Sequence, residues 1–516
     1  MLFNSYIFIF LFLPISITIF YLLKKKNFEK LTSVWLILVS LFFYGWWNPK
    51  YLILIIISII FNYLLGNNLK INPKKTILFF GIFTNLLIIG YFKYSNFFIS
   101  NVNNFLSDQI LMNQIILPLG ISFFTFQQIT YLVDSFSGRT KENTFVNYSL
   151  FVIFFPQLIA GPIVHHSEMI PQFRNKLFGV FKIENFVMGL TTFTIGLFKK
   201  VFIADNLAIF ANPAFDVSQL GFELTLFDAW FSAVAYTFQL YFDFSGYSDM
   251  ALGIGLLFGL ALPLNFHSPF KAKNISEFWR LWHMTLSRLI RDYIYYPLSL
   301  TFARIAIYLN LSSGSSFFIT IASPIIISFF LVGLWHGAGW HYIVFGLLHG
   351  FYIVVHNAWL MLKKNIKYKV KKKNTFALDQ LSQFITFIAV TFSFVIFRSD
   401  SLESSLNFIY SMLNFKSINF NDLFEATTFG TFPFTGIYFL IISFFIINFL
   451  PNTYQFILKK NNLFKLLGPQ IPDSYNKPNN MLKWKPTIKW AICFALILLL
   501  SVMSISSTNE FLYFEF

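Results

Sequence analysis

Apolar segments long enough to cross a lipid bilayer follow one another along almost the whole chain, separated by short polar joints. A helix needs about 17–25 mostly apolar residues to span the hydrocarbon core, and it satisfies its own backbone hydrogen bonds there. We place spans near residues 6–23, 31–47, 51–65, 76–92, 116–133, 147–163, 186–203, 228–242, 248–262, 318–335, 340–361, 380–397, 434–450 and 487–504. This succession predicts an all-α, polytopic membrane protein.

The charge pattern supports the same class. Only 12% of the 516 residues are charged, whereas soluble domains carry roughly 25%. The net charge of +16 comes from lysines clustered between apolar segments, as the positive-inside rule predicts, so we expect no nucleic-acid partner. The single cysteine, Cys493, excludes a disulfide or a cysteine-based zinc site within the chain.

Lysine clusters also predict the orientation of the chain. Lysines follow the first apolar run at positions 24–26 and flank the next joint at positions 70–75. We therefore expect a permanent first span, not a cleaved signal peptide, with the N-terminus extracytoplasmic. The segment Lys363–Lys373 holds seven lysines in eleven residues and is predicted to be a cytoplasmic loop that contacts membrane lipids.

Two stretches in the middle of the chain depart from plain apolar spans. The segment FFPQLIAGPI (154–163) contains Pro156, Gly161 and Pro162. A backbone broken at membrane depth must be buried in protein or line a cavity, so we predict a re-entrant segment here. The stretch YFDFSGYSDMALGIG (241–255) places polar side chains between two apolar runs.

The stretch NISEFWRLWHMTLSRLIRDYIYYPL (274–298) is predicted to form one amphipathic interfacial helix. With 100° per residue, its three arginines share one arc and His283 lies at the border of the apolar face. Asn274 or Ser276 would cap its start, and Pro297 would follow its end.

The stretch LVGLWHGAGWHYIVFGLLHG (331–350) places the ionisable His336 in an apolar setting. Ionisable residues at membrane depth tend to line cavities or substrate paths. The glycines around His336 would leave open space beside its imidazole, which can accept a proton from a hydroxyl near neutral pH. We expect His349 and His356 to make packing hydrogen bonds. His341 is a weaker candidate.

Motifs of several other enzyme classes are absent from the sequence. It has no GxSxG elbow, no HExxH and no phosphate-binding GxxxxGK[ST] loop. We therefore predict no bound metal and no bound cofactor.

Six stretches in order resemble the membrane-bound O-acyltransferase family, and in particular the bacterial alginate O-acetylases and related polysaccharide O-acetylases. They are FFTFQQITYLVDSFSG (123–138), FFPQLIAGPIV (154–164), GLFKKVFIADN (196–206), YFDFSGYSDMALGIGLLFG (241–259), EFWRLWHMTLSRLIRDYIYYPL (277–298) and GLWHGAGWHYIVFGLLHG (333–350). Leu281 stands where the subgroup usually carries a basic residue. The resemblance implies a single multispan domain over 1–516. Its core covers about 115–400, with N-terminal spans in 1–114 and C-terminal spans in 401–516.

The resemblance also implies a helical bundle around a transmembrane tunnel, with His336 and His283 as the catalytic pair. The remaining candidates for substrate binding and for the tunnel lining are Trp335, Gly337, Asp243, Ser245, Tyr247, Trp282 and Arg280. In the reaction that it implies, an acyl group, most simply acetyl from cytoplasmic acetyl-CoA, moves to hydroxyls of an envelope or exported polysaccharide. His336 would be the general base. A separate periplasmic acetyltransferase would be the partner, and the cytoplasmic (inner) membrane the location.

Three other functions fit the sequence. One is D-alanyl transfer of the teichoic-acid type, in which an acyl carrier protein is the donor. The other two are not catalytic: a transporter, and a scaffold of a polysaccharide export complex. Against a transporter, the chain shows no inverted repeat.

Overall fold

The computed structural model describes residues 1–106, 108–111, 114–140, 144–176, 178–365, 375–415, 433–467, 471, 482, 484–506 and 511–512. These residues form helices and connecting loops, and no strand occurs among them. The described residues group into two compact units. The first lies within Met1–Phe202, Phe244–Leu264 and Thr453–Glu515, and the second lies within Ile203–Asp243 and Asn265–Asn452.

The helices follow the apolar runs of the sequence. Those up to the first unit boundary are α1 Leu13–Lys25, α2 Glu29–Gly45, α3 Tyr51–Ile71, α4 Lys75–Ile89, α5 Ser95–Asn103, α6 Ile121–Phe136, α7 Phe145–Ile153, α8 Phe155–Leu158, α9 His166–Arg174 and α10 Ile183–Phe198. The next are α11 Asp205–Gln219, α12 Leu226–Leu257, α13 Ile275–Leu281, α14 Met284–Ile290, α15 Tyr296–Tyr308, α16 Ser313–Phe317, α17 Ser323–His336 and α18 Trp340–Asn365. The last are α19 Thr375–Arg398, α20 Leu402–Leu413, α21 Pro433–Phe449, α22 Thr453–Phe456, α23 Asn462–Leu466 and α24 Ile488–Met503.

Several α-helices join through short π-helical turns into longer rods. The turns are Phe8–Phe12, Gly90–Tyr94, Lys199–Ala204, Arg291–Tyr295 and Phe318–Ala322. Two 3₁₀ turns, Pro269–Lys271 and Leu458–Lys460, lie in loops.

Seven helical rods in the described part of the chain are long and apolar enough to cross a membrane. They are Phe8–Lys25, Tyr51–Ile71, Lys75–Asn103, Ile183–Gln219, Ser313–His336, Trp340–Lys363 and Phe376–Arg398. The prediction of an all-α, multi-pass membrane protein is therefore confirmed, and seven of the fourteen predicted spans fall on these rods. The lysine-rich loop predicted at Lys363–Lys373 lies mostly outside the described residues. The predicted division into N-terminal spans, core and C-terminal spans stays a prediction.

Helix α3 shows the polarity that a bilayer imposes. Its large apolar side chains Ile53 and Leu64 are exposed, whereas Asn62 is fully buried. The Asn62 amide exchanges hydrogen bonds with Asn85 of α4, at 2.7 and 3.2 Å. Apolar surface outside and paired amides inside are what a helix needs when lipid surrounds it.

The broken segment 154–164 is buried throughout, as predicted. Its chain passes from α7 into the four-residue helix α8 and then into an irregular turn. A Cβ at Gly161 would come within 2.5 Å of Gln157 Cα and of the Pro156 carbonyl oxygen, so only glycine fits this turn. The backbone N–H and C=O groups freed by the break thus lie inside the protein. Lipid could not have supplied their hydrogen-bond partners.

Two predicted elements differ in the structure. The spans predicted at 228–242 and 248–262 are one 32-residue helix, α12. Its polar middle does not break it because the polar side chains are buried inside protein. The helix predicted over 274–298 is wrong, because α13 ends at Leu281 and α14 begins at Met284. Helix then continues through the π-helical turn Arg291–Tyr295 and beyond Pro297, which is the second residue of α15.

Candidate functional site

The break between α13 and α14 shapes one half of the candidate site. Asn274 caps α13, as predicted, by accepting a hydrogen bond from the Glu277 N–H at 2.9 Å. At the other end, His283 adopts a left-handed conformation with φ of 42°. A non-glycine residue in that region costs of order 1–3 kcal/mol and persists only where its surroundings hold it.

Asn265 holds this strained histidine in place. Its backbone oxygen accepts a hydrogen bond from the Met284 N–H at 2.9 Å. Its side-chain oxygen Oδ1 lies 2.9 Å from His283 Nδ1 and also accepts the Thr285 hydroxyl at 2.9 Å. Because an amide oxygen only accepts, His283 must carry its proton on Nδ1, and the lone pair is on Nε2.

Burial keeps His283 neutral. Its side chain is 1% exposed, and α13 and α14 lie outside the seven spanning rods. Desolvation of the charged form lowers the pKa of His283 to about 3. The imidazole is therefore uncharged near pH 7.

His336, the last residue of α17, forms the other half of the candidate site. Its ring lies edge-on to Phe345 and Phe397, with centroids 5.6 and 5.1 Å away. The Trp335 indole contacts both histidines, at 5.0 Å from the His336 ring and 5.8 Å from the His283 ring. The structure thus brings His283, Trp335 and His336 together, in the same compact unit.

The glycines around His336 serve close packing of the chain. A Cβ at Gly337 would collide with the Tyr342 ring, and one at Gly333 would collide with the Tyr342 carbonyl oxygen. One at Gly346 would lie 2.8 Å from the Gly333 nitrogen. The expectation of open space beside the imidazole stays a prediction. These glycines let α17 and α18 approach closely.

His349 and His356 make the expected packing hydrogen bonds. His349 Nδ1 accepts a hydrogen bond from Trp279 Nε1 at 3.2 Å. His356 Nδ1 pairs with the Ser276 hydroxyl at 2.9 Å. His341 is buried, and its ring lies tilted against that of Tyr342, with the two centroids 4.0 Å apart.

The remaining predicted site residues lie in varied settings. Trp282 is buried among aromatic rings, stacking on Phe278 at 5.5 Å. Arg280 is exposed. Asp243 is buried on α12, in the same unit as the histidines. Ser245 and Tyr247 are buried in the other unit, where Tyr247 stacks between Phe3 and Phe511, at 4.7 and 4.5 Å. The substrate-binding role predicted for these side chains stays a prediction.

Among the described residues, one group of three ligand-type side chains is close enough to share a metal ion. It comprises Asp134, His165 and His166, and belongs to the first unit. Neither His336 nor His283 belongs to that group.

A family model describing membrane-bound O-acyltransferases matches residues 41–397. The chain belongs to the membrane-bound O-acyltransferase family. It is 42% identical to a peptidoglycan O-acetyltransferase of Helicobacter pylori over 455 residues, which cover 81% of each protein. It is 35% identical to the probable alginate O-acetylase AlgI of Pseudomonas aeruginosa over 440 residues, 83% of this chain and 78% of that protein.

A third relative is more distant. The membrane-bound O-acyltransferase is 31% identical to a teichoic acid D-alanyltransferase of Streptococcus thermophilus over 295 residues, 54% of this chain and 68% of that protein. The resemblance inferred from the sequence motifs is confirmed, and the protein is an O-acyltransferase.

Sequence reasoning missed Asn265, which lies in the loop between α12 and α13. The available signal was a single amide in the apolar run LALPLNF (260–266), directly before the segment that carries His283. A buried amide in such a run needs a partner.

Proposed function

We propose that this O-acyltransferase moves an acetyl group from a cytoplasmic thioester, acetyl-CoA, to hydroxyls of an envelope or exported polysaccharide. The observation that carries the proposal is the identity of 42% and 35% to two polysaccharide O-acetylases over most of the chain. The D-alanyltransferase relative aligns with only 54% of the chain, which favours acetyl transfer over the D-alanyl alternative.

In the proposed reaction His336 is the general base. The acceptor hydroxyl oxygen attacks the thioester carbonyl carbon while the imidazole takes the hydroxyl proton. The carbon–sulfur bond then breaks, and the thiolate leaves and receives that proton. General base catalysis of this kind contributes about 100–10,000-fold. The edge-on rings of Phe345 and Phe397 support this role because they fix the orientation of the His336 ring.

We assign His283 to positioning the acceptor. With its proton on Nδ1 and bound to Asn265, neutral His283 offers only the lone pair of Nε2. That atom can accept a hydrogen bond from a sugar hydroxyl, but it cannot donate one to the carbonyl oxygen. Of the two roles open to this histidine, holding the hydroxyl fits the tautomer inferred from the Asn265 contact and donation to an oxyanion does not.

The remaining parts of the proposal concern the surroundings of the enzyme. Donor and acceptor would meet at His336 through a tunnel, in the cytoplasmic (inner) membrane, with the N-terminus extracytoplasmic. A separate periplasmic acetyltransferase would work alongside this chain in the cell, and lysine-rich joints would contact lipid headgroups.

Reconstituted protein tests the proposed function. Proteoliposomes would receive acetyl-CoA labelled in the acetyl group, with peptidoglycan or alginate fragments as acceptors. We expect label in the glycan as an alkali-labile ester. A D-alanyl-charged carrier protein in place of acetyl-CoA should give no transfer.

The outcomes separate the alternatives. Transfer from the D-alanyl carrier alone would establish the teichoic-acid type of reaction. No covalent transfer from either donor, by protein that remains folded and with the periplasmic partner added, would favour the transporter or scaffold.

A further inference from the structure

Two consecutive histidines and one aspartate converge in the first unit, apart from the residues of the proposed reaction. Asp134 lies near the end of α6, and His165 and His166 lie at the start of α9. The Nε2 atoms of the two histidines are 2.8 and 2.9 Å from the same carboxylate oxygen, Asp134 Oδ2. All three candidate ligand atoms lie within 4.8 Å of one another.

We propose that Asp134, His165 and His166 bind a divalent transition-metal ion, for which zinc is the best fit. Two imidazole nitrogens and a carboxylate oxygen are a common zinc ligand set, with metal–ligand distances of about 2.0–2.2 Å. Tetrahedral ligands at those distances stand about 3.3 Å apart. The nitrogens and the oxygen therefore need to separate by only about 0.4–0.5 Å, and the partly exposed His165 ring can move by that amount.

The groups around the three side chains resemble those that support metal ligands. A ligating histidine usually donates its second ring N–H to an oxygen, which fixes the ring. Here His165 Nδ1 lies 2.6 Å from the Ser167 hydroxyl oxygen, to which it would donate with the ion bound, and 3.3 Å from the Ser167 backbone nitrogen. The second oxygen of Asp134 faces Arg139, at 3.7 Å. A ligating carboxylate is commonly anchored in this way through its other oxygen.

Aromatic walls hold the buried half of the site rigid. The His166 ring lies edge-on to Tyr131 and Phe151, with centroids 5.8 and 6.3 Å away. Its side chain is 5% exposed and that of Asp134 is 2% exposed. His165, at 25% exposed, leaves the open side through which an ion and a water molecule can enter.

Two positively charged side chains lie near the site and would repel a bound cation, so the experiment must distinguish the ion-bound arrangement from an ion-free one. Arg139 is 73% exposed, so solvent screens its charge. Lys70 Nζ lies over the Tyr131 ring, 5.3 Å from its centroid. The competing arrangement has no ion, with both imidazoles donating to Asp134. It accounts for the two Nε2–Oδ2 distances, but it gives no reason why two consecutive histidines should both contact the same carboxylate oxygen.

The position in the fold suggests what the ion does. A Cβ at Gly120, which precedes α6, would lie 2.8 Å from the Leu158 carbonyl oxygen, so the start of α6 packs against the broken segment. Asp134, near the other end of α6, holds the histidines that directly follow that segment. A bound ion would therefore fix the buried segment 154–164 between the two ends of α6.

Zinc binding by the purified full chain tests the proposal. Protein prepared with a tag free of histidine would be stripped with EDTA, equilibrated with zinc sulfate, desalted and analysed for metal by mass spectrometry. We expect about one zinc per wild-type chain, and loss of that zinc in Asp134→Asn and His166→Ala. His356→Ala is the matched control, because it removes a histidine from an unrelated hydrogen bond, and it should retain the zinc.

Two further measurements keep the test decisive if a variant does not fold. Ser167→Ala should weaken zinc binding by about 10–100-fold, as loss of an orienting group does. X-ray absorption at the zinc edge of the wild-type protein should show two imidazole ligands. Zinc retention in Asp134→Asn and His166→Ala equal to wild type, or a zinc spectrum without imidazole, would overturn the proposal. None of these readouts depends on acyl transfer.

Discussion

Replacing Gly346 by alanine would place a methyl group between α17 and α18. That methyl carbon would lie 2.8 Å from the backbone nitrogen of Gly333 and 2.9 Å from its Cα, and it would also meet the Phe329 carbonyl oxygen. Ordinary contacts begin at about 3.4 Å, so the helices must separate by at least roughly 0.6 Å. The obstructing atoms are backbone, which cannot rotate away as a side chain can.

The displacement would reach the proposed general base. His336 follows Gly333 by one helical turn and ends α17, so a shift of α17 carries its imidazole along. Misplacing a reacting group by about 1 Å can cost about 100-fold in rate. For a shift of roughly 0.6 Å we expect acetyl transfer to fall about 10–100-fold, with a stability loss of about 1–3 kcal/mol from overpacking.

The assay measures ester-linked acetate on envelope glycan for Gly346→Ala and for wild type at matched membrane abundance. Size-exclusion profiles check that the variant is folded. Gly314→Ala is the matched control, because it lies on the same rod, Ser313–His336, and a Cβ there meets nothing within 4 Å. Gly350→Ala should give an intermediate loss, since its contacts are side chains of Phe329 and Ile326 at 3.1 and 3.3 Å. If folded Gly346→Ala acetylates as well as Gly314→Ala, the coupling of helix packing to His336 is wrong.

Three further outcomes are expected. Asn265→Asp places a negative charge beside His283 Nδ1 and should raise the pKa of His283 from about 3. Because the neutral imidazole is the working form, the acid limb of the pH–rate profile should move to higher pH. An unmoved limb would contradict the positioning role. His283→Ala should lower transfer without abolishing it, since water can replace an acceptor of a hydrogen bond; full activity would remove His283 from the mechanism. Tyr368→Cys, in a Cys493→Ala background, should resist an impermeant maleimide in intact cells, whereas strong labelling would reverse the predicted topology.

The sequence predicted the class of fold because bilayer physics constrains composition directly. Runs of spanning length predicted the helices, and the prolines and glycine of 154–164 predicted a buried break. The sequence could not show that α12 runs through its polar middle. Side chains such as Asp243 break a span exposed to lipid but not one buried in protein, and burial depends on neighbours distant in the chain.

The candidate site was predicted in part. His336 and His283 stand out as ionisable residues in apolar stretches, and the structure places both beside Trp335. The left-handed turn at His283 was not predictable, because its stability comes from Asn265, eighteen residues earlier in the chain. Convergence of Asp134 with His165 was equally hidden, since the ligands come from two helices and form no continuous motif.

Acetyl transfer by His336→Ala tests the central claim most directly. The purified variant, its His336→Gln counterpart and the His356→Ala control would be compared in proteoliposomes with labelled acetyl-CoA, at equal amounts of folded protein. We expect His336→Ala and His336→Gln to lose at least about 100-fold in rate, the lower range for a general base, while His356→Ala stays near wild type. Near-normal transfer by folded His336→Ala would contradict the assignment of His336 as the general base.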